Sequence, residues 1–292
     1  MSAHATDVAR PREAAATRTT SRPGVRTVYE WEVRKLLAQK RTYIGFGCAL
    51  LVPLIFIASL LADSGGPEGI PFGDYVRESG LAIPLVGLFF GAFWFFPLVT
   101  ALVAGDIVAT EDSNGTLKTI LTRSVDRGHV FAGKTMAAAT YAALALSLTG
   151  VVAVVAGTLQ SGFNPLTDLS GQPVSARRSL VLVAASFLVY LVPILAIACF
   201  GLCLSALTRN SAAAVVGTLM FALLMQLIGI LPGLSGTQPY LLSTQLSAWQ
   251  GFFRVPTDWL PIVRGLWVSA AYGLPALMIA YLTFLRRDVT GG

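Results

Sequence analysis

The chain has 292 residues, 54% of them hydrophobic and only 12% charged, with a mean hydropathy of +0.68 and a formal net charge of +6. A domain wetted on all sides carries roughly a quarter charged residues, so a water-soluble protein is excluded. Several apolar runs reach the roughly 20 residues a helix needs to cross a bilayer, and the chain reads as an all-α integral membrane protein.

Residues 1–26 are rich in Ala, Thr, Arg and Pro and hold no apolar stretch. They cannot bury a core and read as a disordered cytoplasmic tail. No secretory apolar region is present, and Asp7 and Glu13 weigh against an organelle transit peptide. Residues 27–292 read as one transmembrane domain.

Thr27 to Arg41 reads as an amphipathic helix with Tyr29, Val33, Leu36 and Leu37 on one face. Glu30 and Arg34 stand at i, i+4 in the favourable order for an ion pair. With Arg34, Lys35, Lys40 and Arg41 this helix is expected to lie in the headgroup plane.

Six spans are expected near 43–62, 81–104, 130–158, 179–207, 212–231 and 262–285. Pro53, Pro84, Pro97, Pro193 and Pro275 fall inside them and predict kinks rather than breaks. An even number of spans puts both termini on one side. Sixteen of the 21 Lys and Arg residues then share the side of the termini; Arg77, Arg177, Arg178, Arg254 and Arg264 lie opposite. Such an asymmetry places the termini and the Gly105–Thr135 loop in the cytoplasm.

That central loop carries Asp106, Glu111, Asp112 and Asp126 with Lys118, Arg123, Arg127 and Lys134, and is too charged for hydrocarbon. Within it Leu117, Ile120 and Leu121 share one face of a short helix, with Asn114 or Thr116 as its cap and Gly115 easing the entry. Such a face docks either on a partner protein or on lipid headgroups. In the outer loop from Pro232 to Pro261, Leu242, Leu246, Trp249 and Phe253 recur at helical spacing. They predict an interfacial helix at the outer leaflet, either an anchor or a lid.

Little in the sequence suggests chemistry on this chain. Cys48, Cys199 and Cys203 all lie in spans, and the two histidines, His4 and His129, stand apart from any metal-spaced set. Gly128 to Thr135 matches G-x-x-x-x-G-K-[ST], but that pattern cradles phosphate only between a buried strand and an α/β helix. Here a membrane helix follows and no strand series exists, so the match reads as coincidental. No ionisable residue sits mid-span, whereas ion-driven carriers usually keep one there for the coupling ion. The driving energy is therefore expected to enter through the central loop.

Glu111, Gly115-Thr116-Leu117, Leu121-Thr122-Arg123, Val125, Arg127 and Gly133-Lys134 resemble the permeases of ABC-2 type exporters. These bacterial permeases commonly show an acid, Gly-Thr-Leu, an apolar pair, a turn with Arg, and Gly-Lys opening the third span. Ser124 departs from the Pro frequent in that turn. The resemblance extends over the six spans, the entry helix and the outer-loop helix. It implies a plasma-membrane permease whose central loop docks on a separate cytoplasmic ATPase through Glu111, Gly115, Thr116, Leu117, Lys118, Ile120, Leu121, Arg123 and Arg127. ATP and Mg would bind that ATPase, and this chain would need no cofactor and no nucleic acid. It also implies a second permease, the same chain or a different one. Gly87-x-x-x-Gly91 and Ala213-x-x-x-Gly217 allow close helix approach either to that partner or within one subunit. Gln226, the one amide deep in a span, would either meet substrate or hold two helices together. A secondary carrier or channel, and a membrane-embedded enzyme, are the rival readings.

Overall fold

A computed structural model of the protein describes residues 23–62, 67–113 and 125–286. Helix α1 (Val25–Leu37) leads into α2 (Lys40–Ala62); then come α3 (Ala82–Phe93), α4 (Phe95–Ala104), the short α5 (Ala109–Ser113) and the 35-residue α6 (Arg127–Ser161). A two-stranded hairpin, β1 (Leu166–Thr167) and β2 (Pro173–Val174), precedes α7 (Ala176–Thr208) and α8 (Ser211–Ile230). A single turn, α9 (Leu242–Gln245), lies between two 3-10 segments, and α10 (Trp259–Leu285) closes the bundle.

Among the described residues, helices α2, α6, α7, α8 and α10 are each long and apolar enough to cross a membrane, and Ala82–Phe93 with Phe95–Ser113, bent by 59°, counts as a sixth when taken as one broken span. The described elements are almost entirely helical, as composition required. Pro53, Pro193 and Pro275 lie inside continuous helices, and Pro84 falls in the first turn of α3, where a missing N–H costs little. The second crossing differs from the expected kink. It breaks at Trp94 (φ −136°), and the helices on either side meet at 59°. Pro97 accounts for the position: its ring crowds the carbonyl of Phe93 and it has no N–H to bond there.

Two apolar cores fill the bundle from its two ends. One gathers Leu36, Val103, Ile107, Val130 and Phe284 where α1, α4, α6 and α10 converge. The other gathers Phe72, Val76, Leu88, Leu166, Trp249 and Phe253 at the hairpin end. That second core corrects the outer-loop expectation. Leu242, Leu246, Trp249 and Phe253 do share a face, but each is at most 2% exposed, and the segment is a broken run of 3-10 and α turns. The rings of Trp249 and Phe253 pack on Phe72, 6.1 and 4.8 Å away between centroids. The stripe faces protein; Tyr240 and Trp259 are the aromatics left exposed.

Helix α1 departs from its expected face by about one position. Val28, Glu32 and Leu36 are buried, whereas Leu37 is exposed. Glu30 pairs with Arg26, one turn earlier, rather than with Arg34. Tyr29 and Val33 are half-buried against the same core, beside the buried Glu32.

Candidate functional site: the root of the central loop

Asp126 starts α6 by accepting hydrogen bonds from the backbone N–H groups of Gly128 (2.7 Å) and His129 (3.3 Å). Two turns on, Gly133 faces α1. A Cβ there would meet Val28 Cγ1 at 2.7 Å and the backbone nitrogen of Tyr29 at 3.1 Å, so only glycine lets the two helices lie this close. The next residue, Lys134, is fully buried. Its ammonium donates to Glu32 Oε1 (3.0 Å) and the carbonyl of Ile107 (3.1 Å), and it pairs with Glu111 Oε2 at 2.6 Å. All three donors of the lysine are thereby engaged.

Lys35 closes the cluster by pairing with Glu32 (3.1 Å) and with Glu111. Two cations and two anions balance, which is how charges tolerate burial. Helix α1 precedes the first span, and α5 follows the apolar stretch that ends at Ala104. Burial alone would raise the Glu111 pKa, but Lys134 and Lys35 outweigh it and hold the carboxyl below its ordinary value. Burial likewise works to lower Lys35, and Glu111 with Glu32 reverses this, leaving its pKa raised.

The segment just before α5 is fixed as firmly. Asp106 is 2% exposed; it pairs with Arg41 and accepts from the hydroxyls of Thr110 and Ser211. Ser205 Oγ, from α7, accepts from the backbone N–H groups of Val108 (3.2 Å) and Ala109 (2.9 Å), capping α5 from another helix. Arg209 stands 3.7 Å from Asp112. Residues 105–113 are thus tied to α1, the start of α2, α6, α7 and α8.

This geometry corrects two readings. Asp106 and Glu111 are turned inward and paired, not displayed on a solvated loop. Lys134 is likewise buried and paired rather than part of a charged loop. The phosphate-loop look-alike, Gly128–Thr135, forms the opening turns of α6, with its lysine committed to two carboxylates. Sequence reading missed Glu32; the available signal was an acid standing four residues from both Val28 and Leu36 on one stripe.

The other expected site residues distribute as follows. Gly115, Thr116, Leu117, Lys118, Ile120, Leu121 and Arg123 lie outside the described residues, as do Asn114 and most of the tail. Arg127 donates to the carbonyl of Leu285 at 2.9 Å, tying the start of α6 to the end of α10. Gly91 is filled by its own chain's Phe96, and a Cβ on Gly217 would meet Leu204 at 2.8 Å. Gly87 has open space beside it and Ala213 is exposed. Gln226 donates to the carbonyl of Ala92 at 2.6 Å, in the last turn before the break at Trp94.

A family model described as ABC-2 family transporter protein matches residues 29–225, about two thirds of the chain. The chain belongs to this family. It is a multi-pass membrane permease of the ABC transporter class, a transport subunit rather than a catalytic one. None of the curated proteins matches it.

Proposed function

We propose that this chain is the permease of a bacterial ATP-driven exporter, working with a second permease and with a cytoplasmic ATPase that holds ATP and Mg. The observation that carries this reading is the buried cluster of Glu32, Lys35, Glu111 and Lys134 at the root of the central loop. An ATPase pushing on Leu117, Ile120 and Leu121 needs a stiff connection to the spans. Paired charges, three of them buried, supply one, because pulling them apart strands Glu32, Glu111 and Lys134 in a low dielectric.

In this reading Lys118 and Arg123 form the polar rim of the docked helix, and Glu111 and Arg127 brace its two ends from inside the bundle. Gly87 and Ala213 are the small residues free to meet the second permease, and Gln226 holds two helices together rather than touching substrate. Both termini and the central loop face the cytoplasm.

The test is ATP hydrolysis and substrate export in membranes that contain the permease with its ATPase. Leu121→Asp should abolish permease-stimulated hydrolysis while leaving the permease inserted. Ion-gradient-driven transport by the purified chain without any ATPase would replace this reading with a secondary carrier.

A further inference from the structure

The break in the second crossing opens the backbone in the middle of the membrane. Trp94 stands midway between Ala82 and Ala104. No side chain caps the start of α4 there, and Pro97 leaves the carbonyl of Phe93 without its helical donor. Non-helical backbone at this depth is tolerated only where protein or water covers it, because acyl chains offer it no hydrogen bond. Yet Trp94 is 63% exposed, and Phe90 and Phe93 beside it are 47% and 39% exposed. An indole ordinarily favours the headgroup level, where its N–H is wet. This one stands at the wrong depth for lipid.

A hole lies on the same face. Gly87, Phe90 and Trp94 recur at i, i+3 and i+7 along the crossing. Beside Gly87, where a Cβ would meet nothing within 4 Å, opens a cavity of about 330 Å³ walled by Val52, Ile55 and Phe56 of α2 and by Phe90 and Phe95. It is large enough for one indole and too apolar to hold water. Phe95 follows Trp94 directly, so ring and cavity share a depth. A two-fold axis along the membrane normal requires such a patch, since residue i of one copy then meets j of the other and j meets i. At about 200 Å² per aromatic ring, the exposed parts of Trp94, Phe90 and Phe93 come to about 300 Å². Leu51, Ile55 and Leu98, all exposed, carry the face toward the about 800 Å² that each partner of a stable dimer buries.

We propose that the second permease is a second copy of this chain, joined face to face along the second crossing, with Trp94 of each copy seated beside Gly87 of the other. Each copy thereby covers the backbone that the other leaves open at mid-depth. This pairing rests on the reading of the chain as one of two permeases, but its test needs neither ATP nor the ATPase.

The test is co-capture of two differently tagged copies of the full chain, co-expressed and extracted in mild detergent. Wild-type copies should capture one another. Trp94→Ala removes the ring and Gly87→Trp fills the hole; each variant, paired with itself, should lose co-capture at least about tenfold, the equivalent of one interface anchor. Each should still elute as a folded monomer, because Trp94 is exposed and Gly87 borders open space. A Trp94→Ala copy paired with a Gly87→Trp copy retains one ring and one open hole, and should recover association that neither variant has with itself. Wild-type copies that ignore one another assign the partner to a different chain and leave the transport reading standing. A dimer that survives Trp94→Ala, or a mixed pair no better than either variant, leaves this face to water or lipid. Any of these results overturns the pairing.

Discussion

Lys134 and Glu32 meet at 3.0 Å across 102 positions of sequence, with side chains 0% and 5% exposed. A helix expected to rest on the membrane surface is in this way fastened to the third span, through a glycine that admits it and a lysine that holds it. Removing one member of a buried ion pair costs about 3–5 kcal/mol, because the partner is left charged and unpaired.

Lys134→Met should therefore lower the melting temperature and expose α1 to trypsin at Arg26 and Arg34. Adding Glu32→Gln leaves Glu111 facing Lys35 alone, a neutral pair, and should recover much of the loss. A double variant no better than the single would show that the glycine contact, not the charge, holds α1.

The isolated chain should bind no nucleotide. Photocrosslinking of an ATP analogue to the purified permease, abolished by Lys134→Met, would reinstate Gly128–Thr135 as a phosphate site.

The cluster should make stability depend on pH only at the extremes. Glu111 has a folded pKa below its ordinary 4.5, so its contribution is present above that value and is lost as pH falls through the lowered one. Lys35 is raised above 10.5, so its contribution is present below that value and is lost as pH rises through the raised one. The melting difference between wild type and Glu111→Gln should stay flat between these limits and close in acid.

Leu121→Asp should place a charge on the apolar face that the spacing of Leu117, Ile120 and Leu121 predicts for the central loop. If that face enters a cleft on the ATPase, the change costs at least about 2 kcal/mol and most of the association. Co-purification with the ATPase reports it; normal recovery and normal export would leave the segment lying on lipid.

Cysteines at Gln172 and Gln238, in the hairpin and the segment after α8, should react with an impermeant thiol reagent in intact cells. One at Asn114 should not, since the basic residues hold that side inside. The reverse pattern would invert the whole assignment of faces.

The spans were legible because each is a long apolar run bounded by charge. The expected and observed ends of the third and fourth differ by about one turn, where polar residues such as Arg127 and Arg177 still extend the helix. What could not be read was the direction in which polar side chains turn. Glu32 stands beside the stripe of Tyr29, Val33, Leu36 and Leu37 rather than on it, and its buried partner Lys134 is far off in sequence. The outer segment failed for the opposite reason: its spacing identified one face correctly, but a face has the same pattern whether lipid or Phe72 covers it. The break at Trp94 falls three residues before the proline that causes it, so sequence marked the cause but not the place. The ABC-2 motif itself became partly intelligible, since Gly133-Lys134 is a packing and pairing device.

The break at Trp94 gives the second crossing an elbow. Below it, α4 and α5 are clamped by Asp106 and Glu111 to the frame of α1, α2 and α6; above it, α3 is bedded in the hairpin-end core. A straight helix would resist bending at every turn, whereas this one has a joint, with the Ala92 carbonyl already held by Gln226 from α8. In the proposed coupling, force arriving at the clamp would swing the lower limb together with the helices it is tied to, while the upper limb, with Gln226 of α8 bonded to it at Ala92, stays seated.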